Sequence, residues 1–89
     1  MDITIKKLSP EEANKQGVYS WPTWEKEASR FDWFYDDTEE CYLLEGEVVV
    51  ETPDGGKVEF GKGDFVTFPK GLNCTWDIKQ RVRKHFNFK

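Results

Sequence analysis

The feature that most limits what this chain can fold into is its punctuation. Turn-forming clusters recur at short, nearly regular intervals: Asp36-Asp37-Thr38, Asp54-Gly55-Gly56, Gly61-Lys62-Gly63-Asp64 and Pro69-Lys70-Gly71. Between them lie short runs rich in β-branched and aromatic residues. Short strands broken by turns, with room for only one small helix, specify an antiparallel sandwich or barrel, so the fold class is all-β.

Read in order, residues 2–7 alternate weakly and make a first short strand. Ser9-Pro10-Glu11-Glu12 then carries an N-cap, a proline at the first helical position and the acidic partner of a capping box, and Gly17 stops the helix. Residues 18–24 are strand-like, and Pro22 confines them to an edge or a bulge. Glu25 to Arg30 is polar and reads as a loop or a single helical turn. Phe31 to Tyr35 is an aromatic strand with Phe31, Trp33 and Tyr35 on one face and Asp32 and Phe34 on the other. Cys41 to Thr52 follows, interrupted by Gly46 at a bend or bulge. Asp54-Gly55 closes a hairpin onto Lys57–Phe60. Phe65–Phe68, Asn73–Ile78 and Val82–Phe88 complete the strands. The chain has no internal repeat and is expected to be one domain over 1–89.

Composition narrows the function classes. Fourteen aromatic residues, four Trp, seven Phe and three Tyr, supply a core for an 89-residue chain that can hide only part of its surface. A net charge of -4 argues against nucleic acid as the main partner, and the basic residues Lys79, Arg81, Arg83 and Lys84 read as the solvated side of a strand. Cys41 and Cys74 have no CxxC spacing, so a zinc ribbon is excluded and both thiols are expected to be free. No signal peptide or long apolar run is present. The expectation is a cytoplasmic protein without membrane contact, or an organellar one if a targeting peptide has been removed.

Two stretches carry the chemistry. Gly63-x5-Pro69-x-Gly71-x2-Cys74 and Glu39-x6-Gly46 stand on either side of the Asp54-Gly55 hairpin. Proline presets φ and glycine permits φ > 0 in the Pro69-Lys70-Gly71 turn, which aims the Gly63 to Cys74 stretch inward. The first of these resembles the second cupin motif except at its last residue, where Cys74 replaces histidine. The second resembles the end of the first cupin motif. The resemblance spans roughly residues 31–78 and implies an antiparallel cupin jelly-roll barrel with one short N-terminal helix. The Phe31-Asp32-Trp33-x-Tyr35 run, Glu39-x-Cys41-Tyr42, Phe68-Pro69-Lys70-Gly71 and Val82-Arg83-Lys84 further resemble small single-domain RmlC-like cupins, a branch related to ethanolamine-utilisation and ureidoglycine-aminohydrolase-like proteins.

The departures bear on the chemistry. Metal-binding cupins place His-x-His before the glutamate. Here those positions fall on Trp33 and Tyr35, or on Asp32 and Phe34 with one more residue of spacing, so of four expected ligands only Glu39 survives. The usual metal site does not carry over, and no cofactor is expected. Glu39 is expected to point inward as an acid, a base or a ligand anchor; the alternative is a structural hydrogen bond to nearby Trp and Tyr groups. Tyr35 and Trp33 offer a hydroxyl and an indole N–H beside apolar faces, the lining of a small-ligand site. Trp76 shares the face of Cys74 and is a second stacking candidate. Cys41 shares the face of Glu39. For the thiols three readings stand: a soft metal site with Glu39 and His85, a reactive cysteine, or inert buried thiols. His85 and Arg83 share one face of the last strand; Val82, Lys84, Phe86 and Phe88 share the other. His85 is a candidate acid or base at the mouth, and the resemblance adds Lys84 as a cation inside the pocket. The expected function is a metal-independent pocket for a small polar molecule, with acid–base catalysis as its enzymatic form. The alternatives are a non-catalytic oligomerisation or interaction module and a metalloenzyme with an altered Glu/Cys/His ligand set. Edge strands favour a homodimer.

Overall fold

The computed structural model describes residues 2–89. Seven strands dominate it: β1 (Thr4–Lys7), β2 (Thr23–Lys26), β3 (Ser29–Phe34), β4 (Glu39–Glu51), β5 (Lys57–Gly61), β6 (Asp64–Phe68) and β7 (Asn73–Phe88), with a single helix, α1 (Pro10–Lys15), after β1. All pairings are antiparallel.

The two long strands, β4 and β7, pair along most of their length and are shared by both halves of the jelly roll. The first part of β4 sits between β6 and residues 84–88 of β7, with β1 and β2 outside them. Its second part sits between β5 and residues 75–80 of β7, with β3 on the far side of β7. The change occurs at Gly46. The β4–β7 register slips around it, and its φ is +114°. A Cβ there would lie 2.7 Å from the Arg81 carbonyl oxygen and 2.8 Å from Val82 Cα, so only glycine fits unstrained. Before Gly46 the buried inner residues of β4 are Glu39, Cys41 and Leu43; after it they are Val48 and Val50. The bulge flips the parity of the strand and keeps its apolar side on the core as the sheet turns.

That core is Tyr35, Cys41, Leu43, Val48, Val50, Phe60, Val66, Phe68, Leu72, Cys74, Trp76, Ile78 and Val82. On the opposite side of β4 and β6, Tyr42 and Phe65 carry a second cluster with Leu8, Ala13 and Val18, which fastens α1 to the sheet. The capping box forms as its sequence requires: Glu12 N–H donates to Ser9 Oγ at 3.2 Å, and Ser9 N–H to Glu12 Oε1 at 2.9 Å.

Three sequence expectations need correction. Residues 18–24 are not one strand: Val18–Ser20 is a 3₁₀ turn, and β2 begins only after Pro22, whose carbonyl accepts from Phe86 N–H. Glu25–Arg30 is neither loop nor helical turn but the end of β2 and the start of β3, interrupted at Glu27 and Ala28. The last two strands are one. Lys79–Arg81 is polar because it lies on the outside of the bend opposite Gly46, where the Arg81 guanidinium reaches Glu25, Glu27 and Glu45.

Candidate functional site

A cavity of about 600 Å³ opens at the end of the barrel where β2, β3, β4 and β7 come together. That volume is within the usual range for small-molecule sites. Its walls are Trp24, Phe31, Trp33, Trp76, Phe86 and Phe88.

Its deepest polar feature is an ion pair. Lys84 Nζ donates to Glu39 Oε2 at 2.6 Å, and the two residues are only 5% and 4% exposed. They are not cross-strand neighbours, since Glu39 lies opposite Phe88 and Lys84 opposite Leu43. The lysine therefore runs along the inner face of β7 to meet the carboxylate. Two indoles hold its ammonium, Trp76 at 4.7 Å and Trp24 at 5.0 Å from ring centroid to Nζ. Such contacts contribute roughly 0.5–2 kcal/mol each. Among the described residues only Oε2 of Glu39 has a protein donor; Oε1 has none, and Glu39 lines the cavity.

Tyr35 stands beside this pair. The Pro69–Gly71 turn fixes its backbone: Gly71 N–H donates to the Tyr35 carbonyl at 2.7 Å, and Tyr35 N–H donates to Leu72 O at 3.0 Å. Its ring stacks on Phe68, with centroids 4.7 Å apart. Its hydroxyl accepts from Trp76 Nε1 at 3.0 Å, which leaves the phenolic hydrogen free to donate. Burial, reinforced by the charge of Glu39, pushes the phenol far above its ordinary range, so Tyr35 stays a neutral donor.

Of the residues singled out in the sequence, Tyr35, Glu39, Trp33, Trp76 and Lys84 therefore line one cavity. Cys41, Cys74 and His85 lie outside it. Cys41 is fully buried in the core. Cys74 faces a neighbouring cleft with Asp32, Trp33, Phe34, Thr52 and Thr75 rather than this cavity. Burial pushes the Cys41 thiol up to about 12 and the Cys74 thiol up to about 11, with the Glu39 charge acting in the same direction on both. Neither is a ready nucleophile. His85 points to the other face of β7, where Nδ1 donates to the Trp21 carbonyl at 2.9 Å and the ring meets Tyr19 edge-on. The strand alternation that puts Lys84 inside puts His85 outside.

The sequence reading missed Trp24 and Phe31 as cavity walls, and Phe86 and Phe88 as part of the lining. The signal lay in the Val82, Lys84, Phe86, Phe88 alternation: a lysine within an apolar face is buried beside an acid.

The metal of other cupins does not fit this residue set. Its motif positions hold Trp33, Tyr35 and Cys74, and the surviving carboxylate is already answered by an ammonium. Among the described residues no three His, Cys, Asp or Glu side chains converge, so Glu39, Cys41, Cys74 and His85 do not assemble an alternative ligand set.

Comparison with known proteins agrees with the fold. The model of the EutQ-like cupin domain matches residues 13–86. A DUF861 family protein from Thermotoga maritima is 52% identical over 99% of this chain and 100% of its own, with a TM-score of 0.95. A DUF861 family protein from Pseudomonas syringae is 25% identical over 75% of this chain and 29% of its own, with a TM-score of 0.68. The EutQ protein of Clostridium difficile is 22% identical over 97% of this chain and 66% of its own; with a TM-score of 0.69 it shares the fold. No curated protein matches significantly.

Proposed function

The chain belongs to the EutQ-like cupin family, and on that premise we propose that it binds a small polar molecule in the aromatic cavity above Glu39 and Lys84, with proton transfer by this pair as its chemistry. The observation that carries the reading is the pair itself. Taking two charges out of water costs several kcal/mol per ion, and a pair this deep contributes little net stability compared with apolar residues of the same size. Its position at the bottom of an open cavity, with one carboxylate oxygen unclaimed, gives it a use that stability does not. The aromatic walls lower the local dielectric and strengthen whatever the pair does to a bound group. Lys84 supplies positive charge to an electron-rich atom, Glu39 Oε1 accepts a proton, and Tyr35 donates a hydrogen bond.

Crystals soaked with a fragment library test this. The expected result is density in the cavity with a polar atom within hydrogen-bond distance of Glu39 or Lys84. Fragments that settle only outside it, with the cavity filled by its own side chains, overturn the reading. A second reading, that the mouth is a contact surface for another protein, is favoured by the half-exposed Trp33, Phe34 and Phe88. Apolar fragments confined to those three rings would support it instead.

A further inference from the structure

The cavity's own charges restrict what can enter it. Lys26 and Lys84 are balanced by Asp32 and Glu39 among its lining residues. The two buried charges, Lys84 and Glu39, answer each other, whereas Asp32, an acceptor from Thr75 Oγ1 at 2.9 Å, and Lys26, over the Phe31 ring at 5.3 Å, are exposed to solvent. A ligand ion beside Glu39 and Lys84 would meet a pair already satisfied, in an apolar setting away from the exposed charges, which is costly. An uncharged ligand meets no such penalty. The polar groups still available are of two kinds. Tyr35 O–H and Lys84 N–H donate, and Glu39 Oε1 accepts. They call for a ligand with an acceptor oxygen next to a removable proton.

Building on the proton-transfer reading above, we propose that the ligand is a small uncharged α-hydroxycarbonyl compound and that the cavity enolises it. Glu39 Oε1 takes the proton from the carbon next to the carbonyl. The C–H electron pair becomes the C=C bond, and the carbonyl π pair moves onto oxygen, where Lys84 and Tyr35 stabilise it. Return of the proton to the former carbonyl carbon, with the proton of the adjacent hydroxyl passing to the enolate oxygen as that hydroxyl's carbon becomes the new C=O, moves the carbonyl along the chain. Return to the same carbon exchanges or inverts it. Nothing is oxidised overall and no co-reactant is consumed. The aromatic walls receive the C–H faces of substrate and planar enediol. Tyr35 remains a donor throughout, as the group opposite a developing enolate oxygen must.

The test follows dihydroxyacetone and glyceraldehyde by proton NMR in D₂O, with glycolate and glycerate as charged comparators and free lysine as an amine control. Expected is protein-dependent loss of only one of the two prochiral hydrogens on a dihydroxyacetone carbon, with glyceraldehyde appearing. Glu39→Gln should slow it roughly 100-fold or more, the usual share of a general base. Tyr35→Phe, which keeps the ring stacked on Phe68, should slow it less, and circular dichroism checks that each variant is folded. Exchange of both hydrogens alike, or at the free-lysine rate, overturns the proposal. Binding of the neutral compounds without exchange overturns it too but leaves the binding site standing. Preferential binding of the carboxylates overturns the choice of an uncharged ligand. No binding of any fragment in the cavity defeats both this inference and the reading beneath it.

Discussion

If the Glu39–Lys84 pair is kept for what it does to a ligand, separating its members should be costly and removing both should not. Lys84→Met preserves most of the buried stem but takes the Lys84 ammonium from the Glu39 carboxylate and gives up two indole contacts. Removing one member of a buried pair costs about 3–5 kcal/mol, and this substitution should fall there. Glu39→Gln keeps an acceptor oxygen beside the ammonium, and Trp24 and Trp76 still hold the cation, so its cost should be smaller, about 1–3 kcal/mol. The double variant has no buried charge at this place. It should lie within about 1 kcal/mol of the parent or exceed it. The implied coupling is several kcal/mol, against roughly 0.3–0.5 for independent sites. Urea unfolding of the four proteins at pH 7, with equal m-values as the check on two-state behaviour, measures it. A double variant as unstable as the two singles added together would refute the reasoning, because the pair would then be structural cement and its place in the cavity incidental.

Two further outcomes follow from the fold. Gly46→Ala should destabilise by about 2–4 kcal/mol, since a side chain at φ +114° meets the Arg81 carbonyl and Val82 backbone; a loss below about 0.5 kcal/mol in urea unfolding would show that the β4 bulge can relax. Stability should also fall at alkaline pH. The folded Cys41 thiol is held up to about 12 from an ordinary 9.0 by burial, and the Tyr35 phenol is displaced in the same direction. Groups raised on folding stabilise fully below their unfolded pKa and lose that contribution as pH rises through the folded value, so Cys41 alone removes on the order of 4 kcal/mol between pH 9 and 12. Denaturation at pH 7 and at pH 11 should show the drop, and Cys41→Val should lessen it; an unchanged slope in the variant would contradict the assignment.

The turns were legible because their residues act locally. Asp54-Gly55, Gly63-Asp64 and Pro69-x-Gly71 need little beyond their own backbone preferences, and each closes a turn as expected. The Ser9 to Glu12 cap is equally local. The continuity of β7 was hidden because Lys79–Arg81 looks like a loop; it is polar because the bend at Gly46 turns it outward, and the partners that hold it there, Glu25, Glu27 and Glu45, lie 36 to 56 residues away. At the site, strand alternation put Tyr35, Glu39 and Trp76 on inward faces. It could not say that Cys74 opens into a neighbouring cleft, because Asn73–Thr75 pairs with β3 near the rim. Nor could it identify Lys84 as the partner of Glu39, a contact between strands 45 residues apart that depends on how far a lysine extends along the inner face.

The most direct measurement of the central claim uses the four indole N–H resonances as reporters. Trp24, Trp33 and Trp76 line the cavity, whereas Trp21 lies against Phe65 in the cluster under α1. Titration of the labelled protein with dihydroxyacetone should move the first three signals in a saturable way and leave Trp21 in place, and Lys84→Met should abolish the response. Shifts of all four alike, or of Trp21 alone, would contradict a ligand site built above Glu39 and Lys84.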